Sequence, residues 1–243
     1  MSNEVQLAGQ RVVVIGGTSG IGLETARLAR AAGAEVTITA RDQDRLHDVG
    51  AELGATTAAF DALDFDRLDR FFDELPAPID HVLLTGPGPY YAPLAEFDFD
   101  KGHRDLEAHL WLPLHIARNA ATKMRPGGTL LFIGGTGGRR ATVGFALISA
   151  LTAAIPAMVR ALAVELAPVR ANVIAAGFVD TPLSASLLGD QLDQRRQQLR
   201  EALPTGRVVG PADIAAVAVF LMTNTTITGA TLDVDSGQQL VDV

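Results

Sequence analysis

Short runs of apolar, β-branched residues alternate with helical patterns along almost the whole chain. The runs that predict strands are residues 11–17, 35–40, 55–60, 81–86, 129–135, 170–177 and 230–235. The segments that predict helices are residues 21–34, 41–53, 64–75, 100–124, 142–166, 183–203 and 211–222. Strands that alternate with helices form a parallel sheet with right-handed crossovers and helices on both faces. We therefore predict a doubly wound α/β fold with a seven-stranded, mostly parallel sheet.

A glycine-rich turn joins the first predicted strand to the first predicted helix. Three glycines here let the backbone turn tightly and approach a pyrophosphate, and the helix N-terminus then presents free N–H groups to the phosphates. The required strand and helix flank the turn, which indicates a dinucleotide site in a Rossmann-type sheet rather than a tight turn without a ligand. The predicted phosphate-loop residues are Gly16, Thr18, Ser19, Gly20, Ile21 and Gly22.

The choice of cofactor is predicted at the end of the second strand, where an acid would hold the ribose hydroxyl of NAD. Ala40 stands at that position and Arg41 follows it. A guanidinium can pair with the 2′-phosphate of NADP. Asp42 argues the other way, unless it is the N-cap of the next helix. The sequence favours NADP(H), with NAD(H) as the alternative.

Composition excludes several classes of protein. The chain has 243 residues, which suits one domain over 1–243, and 48% of them are hydrophobic. A formal charge of −8 argues against a nucleic-acid partner. The absence of cysteine removes disulfides and thiolate metal ligands, and we predict no metal site. The N-terminal ten residues show no signal peptide, and the apolar segment 142–166 contains charges and Pro156. We expect a cytoplasmic protein without a membrane span.

Motifs along the whole chain resemble those of the short-chain dehydrogenase/reductase family. GGTSGIG is similar to the family's TGxxxGIG, LLTGPG stands where the family has a strand ending in NNAG, and NVIAAGFVDTP resembles its PG stretch. The resemblance implies that Asp61 holds the adenine amine and that Thr181 contacts the nicotinamide amide. Further cofactor contacts implied by the resemblance come from Ala62, Gly86, Gly177 and Val179.

The family's catalytic residues are not present. Its members reduce carbonyls with an Asn-Ser-Tyr-Lys tetrad, in which Tyr donates the proton and Lys lowers its pKa. Aligning LLFIGGTGG on the family's ISSxxG places Gly135 at the Ser position, Ile148 at the Tyr position and Thr152 at the Lys position. His109 aligns with the Asn. All four positions are changed.

Other side chains are therefore candidates for proton transfer. His109 is the first, because imidazole is the commonest general acid or base, although a single helical His is more often structural. Tyr90 and Tyr91 follow the fourth strand, at the edge where ligands bind in this architecture. Thr136 and Thr152 offer hydroxyls without an activating neighbour. The Arg139–Arg140 pair is either an anion site near the cofactor's reactive end or a solvated loop.

Two helical segments resemble further parts of the family fold. Residues about 182–205 correspond to its mobile substrate lid, although composition alone describes a solvated amphipathic helix. Helices at about 101–124 and 142–166 correspond to its dimer interface. The second is apolar nearly all round, and one face of a sheet cannot bury it. We therefore predict a homodimer or homotetramer through these helices.

Three functions are consistent with the residues. The first is an NADP(H)-dependent oxidoreductase that acts on a small carbonyl or alcohol substrate with a non-standard proton donor. The second is a catalytically degenerate NADP(H)-binding protein, either a sensor or a partner subunit. The third is a non-redox enzyme that uses the same pocket. Retention of the substrate-pocket motifs favours the oxidoreductase.

Overall fold

A single seven-stranded sheet in the order β3-β2-β1-β4-β5-β6-β7 organises the molecule. The structure is a computed structural model and describes residues 6–242. The first five residues of the segment searched above for a signal peptide lie outside this range. Strand bounds are β1 Arg11–Ile15, β2 Glu35–Ala40, β3 Thr56–Ala59, β4 Ile79–Leu84, β5 Met124–Gly135, β6 Arg170–Ala176 and β7 Thr231–Val234. Every neighbouring pair is parallel, which confirms the predicted fold class.

Helices cover both faces of the sheet. Their bounds are α1 Gly20–Ala31, α2 Gln43–Leu53, α3 Phe65–Glu74, α4 Phe99–Leu106, α5 Leu112–Ala121, α6 Ala146–Glu165, α7 Pro182–Leu188, α8 Leu192–Ala202 and α9 Pro211–Thr223. Alternate residues of β1 serve the two faces: Val13 and Ile15 pack with α3, α5 and α6, while Val12 and Val14 pack with α1, α2 and α9. This two-sided burial explains why the strands are continuous apolar runs.

Two predicted helices are interrupted, and glycine and proline explain where. The segment predicted as one helix over 100–124 contains a π-helical turn, Glu107–Trp111, between α4 and α5. Pro113 has no N–H to give to the carbonyl of His109 four residues earlier, so regular α-helical bonding fails there. The segment predicted as one helix over 183–203 is divided at Gly189, whose φ of 51° lies in the left-handed region.

Helix α6 is the long apolar helix that the sequence predicted. By length and composition alone it could cross a membrane, a test that core helices of soluble proteins also pass. One face of it is buried, through Ile148, Leu151, Ile155, Val159 and Leu162. Pro156 lies inside it without ending it.

The order of the strands determines where a ligand can bind. The chain moves outward from β1 to β2 and β3, then returns to place β4 on the other side of β1. The loops after β1 and β4 therefore diverge and leave a crevice at the carboxyl edge of the sheet.

Candidate active site

Two adjoining cavities open at the carboxyl edge of the sheet. The first, which we call the outer cleft, has a volume of about 1120 Å³ and extends from the glycine-rich turn to the end of β3. The second, the inner cavity, has a volume of about 740 Å³ and lies between the end of β5, α6 and the segment after β6. Ile21, Gly86 and Thr181 belong to the lining of both, so the two cavities form one continuous site.

The glycine-rich turn lines the outer cleft, with Gly16, Thr18, Ser19, Gly20, Ile21 and Gly22 all in its wall. Gly16 has a φ of 90°, and a Cβ atom there would lie 2.4 Å from Thr85 Oγ1. A Cβ atom on Gly22 would lie 2.1 Å from the carbonyl oxygen of Gly16. These glycines therefore fit the tight turn and the close strand–helix packing of a phosphate loop.

The N-terminus of α1 faces this cleft without a side-chain cap. Ser19 is the N-cap residue, but its hydroxyl makes no capping hydrogen bond. The first N–H groups of a helix need partners from outside the helix, and the helix dipole favours an anion at this end. The residues present thus fit the pyrophosphate of a dinucleotide.

Arginines gather where β2 ends, at the far side of the outer cleft. Arg41 and Arg45 both line it, and neither guanidinium has an ion-pair partner within residues 6–242. Asp42 accepts a hydrogen bond from the Arg45 backbone N–H (3.0 Å) and so caps α2, which favours the N-cap interpretation of this acid. Sequence reasoning missed Arg45, although it follows Arg41 at helical spacing.

The predicted adenine-binding residues occupy the same wall. Asp61 and Ala62 line the outer cleft beside Phe60 and Leu63. One carboxylate oxygen of Asp61 accepts a hydrogen bond from the Leu63 backbone N–H (3.0 Å), which orients the side chain. Asp61, Arg41 and Arg45 therefore line the same cleft as the uncapped N-terminus of α1.

All four positions aligned with the family's tetrad line the inner cavity: His109, Gly135, Ile148 and Thr152. The Thr152 hydroxyl donates to the carbonyls of Ile148 (2.8 Å) and Ser149 (3.2 Å), so it bonds its own helix. Ile148 is 5% exposed and offers no polar atom. Of the four, only His109 presents a group that exchanges protons near neutral pH.

His109 is held by a buried acid. Its Nδ1 lies 3.0 Å from Asp105 Oδ1 and 2.9 Å from the Asp105 carbonyl oxygen. The side chains are 13% and 4% exposed. Burial lowers the pKa of His109, but the hydrogen bond and the negative charge of Asp105 outweigh it and hold the pKa above its ordinary value.

The two carboxylate oxygens of Asp105 differ in their surroundings. Oδ2 is buried without a hydrogen-bond partner in the part of the chain that the structure describes. Asp105 belongs to the lining of the outer cleft, whereas His109 belongs to that of the inner cavity. The pair therefore joins the two compartments. Sequence reasoning missed Asp105, although its position four residues before His109 was a usable signal.

The two tyrosines line the inner cavity but differ in their surroundings. Tyr90 OH accepts a hydrogen bond from the Asp98 backbone N–H (3.0 Å) at the start of α4, which gives it a structural task. Tyr91 packs on Phe145 with ring centroids 4.7 Å apart. Partial burial and then the charge of Asp105 raise the pKa of Tyr91, so its hydroxyl stays protonated at neutral pH.

Residues after β5 and β6 complete the inner cavity. Thr136 is 6% exposed and lies in its wall, as do Gly177 and Val179. A Cβ atom on Gly177 would lie 2.6 Å from Gln238 Oε1, so this glycine also allows the C-terminal segment to pack. The Thr181 hydroxyl accepts from the Ser184 backbone N–H (3.3 Å) and caps α7 while lining both cavities.

Arg139 and Arg140 do not form an anion site. The Arg139 guanidinium is bidentate to Asp233, with both distances at 2.6 Å. Arg140 pairs with Asp242 at 2.9 Å and donates to the Gln239 carbonyl at 2.8 Å. Neither residue belongs to the lining of the outer cleft or of the inner cavity. Both secure the C-terminal segment, which corrects the suggestion that they reach a substrate.

Helix α7, at the start of the segment predicted as a lid, lies against the inner cavity. Leu183, Leu187 and Leu188 of α7 face it, and a Cβ atom on Gly88 would lie 2.7 Å from Leu183 Cδ1. Arg196 anchors α8 through bonds of 2.9 and 2.7 Å to Asp180. Within residues 6–242, no group of three His, Cys, Asp or Glu side chains is placed to hold a metal ion.

The chain is similar to known proteins over nearly its whole length. A family model described as enoyl-(acyl carrier protein) reductase matches residues 16–239. The 3-oxoacyl-[acyl-carrier-protein] reductase MabA of Mycobacterium tuberculosis is 33% identical, covering 93% of this chain and 91% of the relative.

Solved structures extend the likeness to three dimensions. The MalC reductase/Diels-Alderase of Malbranchea aurantiaca superposes with a TM-score of 0.90 at 26% identity, covering 98% of this chain and all of the other. A small-chain dehydrogenase solved with NADPH gives a TM-score of 0.82 at 26% identity, covering 96% and 99%. The fold, the glycine-rich turn and these matches together show that the chain belongs to the short-chain dehydrogenase/reductase family of oxidoreductases.

Proposed function

We propose that this protein is an NADP(H)-dependent oxidoreductase that interconverts a carbonyl and an alcohol, with His109 as the proton donor. One observation carries the proposal: the Asp105–His109 pair lies between the two cavities, with the histidine in the wall of the inner one. A carbonyl that gains a hydride also needs a proton, and a positioned imidazolium supplies it.

The outer cleft has the features that an NADP(H) site requires. The N-terminus of α1 would hold the pyrophosphate, Asp61 the adenine, and Arg41 with Arg45 the 2′-phosphate. Bound NADPH would supply the hydride. The similar dehydrogenase solved with NADPH supports this choice of cofactor over NADH.

His109 is better placed than the other candidate donors. Its pKa lies above the ordinary value because of Asp105, so a substantial fraction carries a proton near neutral pH. Its Nε2 lies 3.8 Å from the position of a Cβ atom on Gly86, a residue that lines both cavities. Tyr91 is the second candidate, and its raised pKa makes it the weaker acid.

The family resemblance implies that substrates enter the inner cavity, and the cavity is mostly apolar there. Ile133, Phe145, Ile148 and Ile155 form much of its wall. We propose a carbonyl substrate with a substantial apolar portion. The relative MabA is by its name a reductase of 3-oxoacyl groups, which are carbonyl substrates with an apolar portion.

A second function has a specific observation in its favour. MalC, similar over its entire length, is described as both a reductase and a Diels-Alderase. The positions aligned with Tyr and Lys are Ile148 and Thr152, and the Thr152 hydroxyl is occupied by its own helix. An apolar cavity that orients a substrate without transferring a hydride is therefore the alternative that we propose.

We further propose a homodimer or homotetramer assembled through α4–α5 and α6. The outer face of α6 carries a row of exposed residues at helical spacing: Ala146, Ala150, Ala153, Ala157, Ala161 and Val164. On the adjoining helix pair, Trp111 is 52% and Leu114 is 38% exposed. Small side chains allow close helix approach, and exposed large apolar side chains gain by burial.

The deciding experiment uses NADPH deuterated on the reactive carbon of the nicotinamide. We expect calorimetry to give tighter binding of NADPH than of NADH, and deuterium to appear in the alcohol formed from aryl alkyl ketones. Binding of NADPH without formation of any deuterated alcohol would support the second function. Absence of binding by both cofactors would overturn the oxidoreductase.

A further inference from the structure

The inner cavity differs in charge from the rest of the molecule. The chain as a whole has 28 acidic and 20 basic residues. Among the described residues that line the inner cavity, His109 and Arg195 are basic and none is Asp or Glu. Asp105 does not belong to this lining, but its negative charge balances the positive charge of protonated His109. The guanidinium of Arg195 therefore gives the cavity its positive charge.

Arg195 lies on α8 of the lid and has no hydrogen-bond or ion-pair partner within residues 6–242. The next residue, Arg196, pairs with both Asp180 and Asp193. Burial lowers the pKa of Arg195, which marks a guanidinium partly removed from water without a counter-ion. Because removing a charge from water costs free energy unless the charge is paired, a ligand anion can recover that cost here.

We propose that Arg195 is an anion-recognition residue and that the substrate is an apolar molecule carrying one negative charge of the carboxylate type. One unpaired guanidinium balances one negative charge, whereas a phosphate monoester carries nearly two at neutral pH. A carboxylate also matches the planar fork of a guanidinium with two parallel hydrogen bonds.

Three other polar side chains of the cavity are hydrogen-bonded to the backbone. Thr152 and Ser184 both donate their hydroxyl protons to backbone carbonyls, and Gln238 accepts from the Phe178 backbone N–H through its side-chain oxygen. Arg195 belongs to the lid, and His109 belongs to the π-helical turn before α5. The substrate's anionic end and its reacting end are therefore recognised by different elements.

This assignment rests on the proposed function only for the identity of the reacting group. The anion site can be tested in protein with and without NADPH. The probes are anilinonaphthalene sulfonate, an apolar monoanion, and phenylnaphthylamine, which has the same aromatic skeleton without the charge. The variants are Arg195→Gln and, as a matched control, Arg200→Gln, which removes an exposed arginine from the same helix.

We expect the native protein to bind the anionic probe about tenfold more tightly than the neutral one, the range of a charge-assisted hydrogen bond. Arg195→Gln should remove this preference and leave the affinity for the neutral probe unchanged, while Arg200→Gln should alter neither. An unchanged preference in Arg195→Gln, or no preference in the native protein, would overturn the assignment.

A competition arm separates the two kinds of anion. Naphthoate should displace the anionic probe from the native protein more strongly than naphthyl phosphate does. Stronger displacement by the phosphate, or displacement by neither, contradicts the carboxylate class. Loss of NADPH binding with the Arg195-dependent preference intact would refute the proposed oxidoreductase and leave the anion site standing. NADPH binding without an Arg195-dependent preference for the anionic probe would refute the anion site alone.

Discussion

Asp105 Oδ1 and His109 Nδ1 lie 3.0 Å apart across one turn of helix, and both side chains are almost fully enclosed. An acid at this distance fixes the tautomer, because Nδ1 carries the hydrogen that the carboxylate accepts. The opposite nitrogen, Nε2, is then the atom that gains and loses a proton on the side of Gly86. Pro113 contributes indirectly, since it produces the wide turn on which His109 lies.

Replacing Asp105 with Asn should lower the pKa of His109. The native pKa is raised by Asp105 against the effect of burial, so loss of the carboxylate leaves burial as the dominant influence. With His109 as the proposed proton donor, ketone reduction requires its protonated form, and the rate should fall as pH rises through that pKa. In Asp105→Asn the fall should begin about one pH unit lower or more. Long-range nitrogen NMR of His109 gives the pKa without turnover.

Asp100→Asn is the matched control, because Asp100 is an exposed acid in the first turn of α4. It should leave the pH profile and the His109 titration unchanged. The native protein and Asp105→Asn could instead show the same pH dependence of the rate and the same His109 titration. That result would show that Asp105 has only a structural role.

Removing Arg41 and Arg45 together should abolish the preference for NADPH. Each guanidinium lines the outer cleft without a partner among the described residues, and a pair of charge-assisted hydrogen bonds to a phosphate corresponds to roughly a hundredfold in affinity. Calorimetry should therefore show much weaker NADPH binding and little change for NADH. Arg27→Gln, which removes an arginine paired with Glu24 and Glu52 outside the cleft, should change neither affinity.

A charge on the exposed alanine face of α6 should prevent assembly. Ala157 lies in the middle of that face, and a glutamate there would be buried without a partner if two copies met through it. Sedimentation velocity should show an oligomer for the native chain and a monomer for Ala157→Glu. Ala51→Glu adds the same charge to an exposed site on α2 and should leave the oligomer intact. A native chain that sediments as a monomer contradicts the proposed assembly.

Acid should destabilise the fold through His81. Burial lowers the pKa of His81 to about 4, and the positive charge of Arg170 adds to this while Asp80 opposes it. The unfolded chain, with an ordinary pKa of 6.5, takes up the proton first as pH falls. The free energy of unfolding should therefore decrease by up to about 3 kcal/mol between pH 6.5 and pH 4 and then stop responding to this group.

Urea unfolding across that pH range measures the effect of His81. Its Nε2 lies 2.6 Å from Gln10 Oε1, so His81→Gln keeps a donor near this acceptor while removing the titration. The variant should lose less stability than the native protein as pH falls. Parallel curves for the two proteins would assign the acid sensitivity to other groups.

The strands and the phosphate loop are readable from the sequence because local chemistry determines them. RVVVI is buried on both sides of the sheet and has few alternatives to a central strand. The glycines of the first turn are recognisable from their spacing between a strand and a helix, although their contacts are both local, as for Gly22 with Gly16, and distant, as for Gly16 with Thr85. A local signal of this kind also gave the N-cap of α2 as one of two interpretations of Asp42, and the structure shows that cap.

The roles of the arginines were harder to predict, because distant parts of the chain determine them. Arg139 is separated by 94 residues from its partner Asp233, and Arg140 by 102 from Asp242. Nothing in the sequence near either arginine indicates that these acids would pair with its guanidinium. The same holds for Arg195, whose orientation toward the cavity depends on how the lid packs on the loop after β4.

The contact between Gly138 and Thr152 limits how this chain could change further. A Cβ atom on Gly138 would lie 2.0 Å from Thr152 Oγ1, so the loop after β5 rests directly on the residue aligned with the family's lysine. A lysine at position 152 would have to displace that loop. Only then could it lower the pKa of a tyrosine at position 148. Introducing the tetrad into this chain would therefore require changes at positions 148 and 152 together with a shift of the loop after β5.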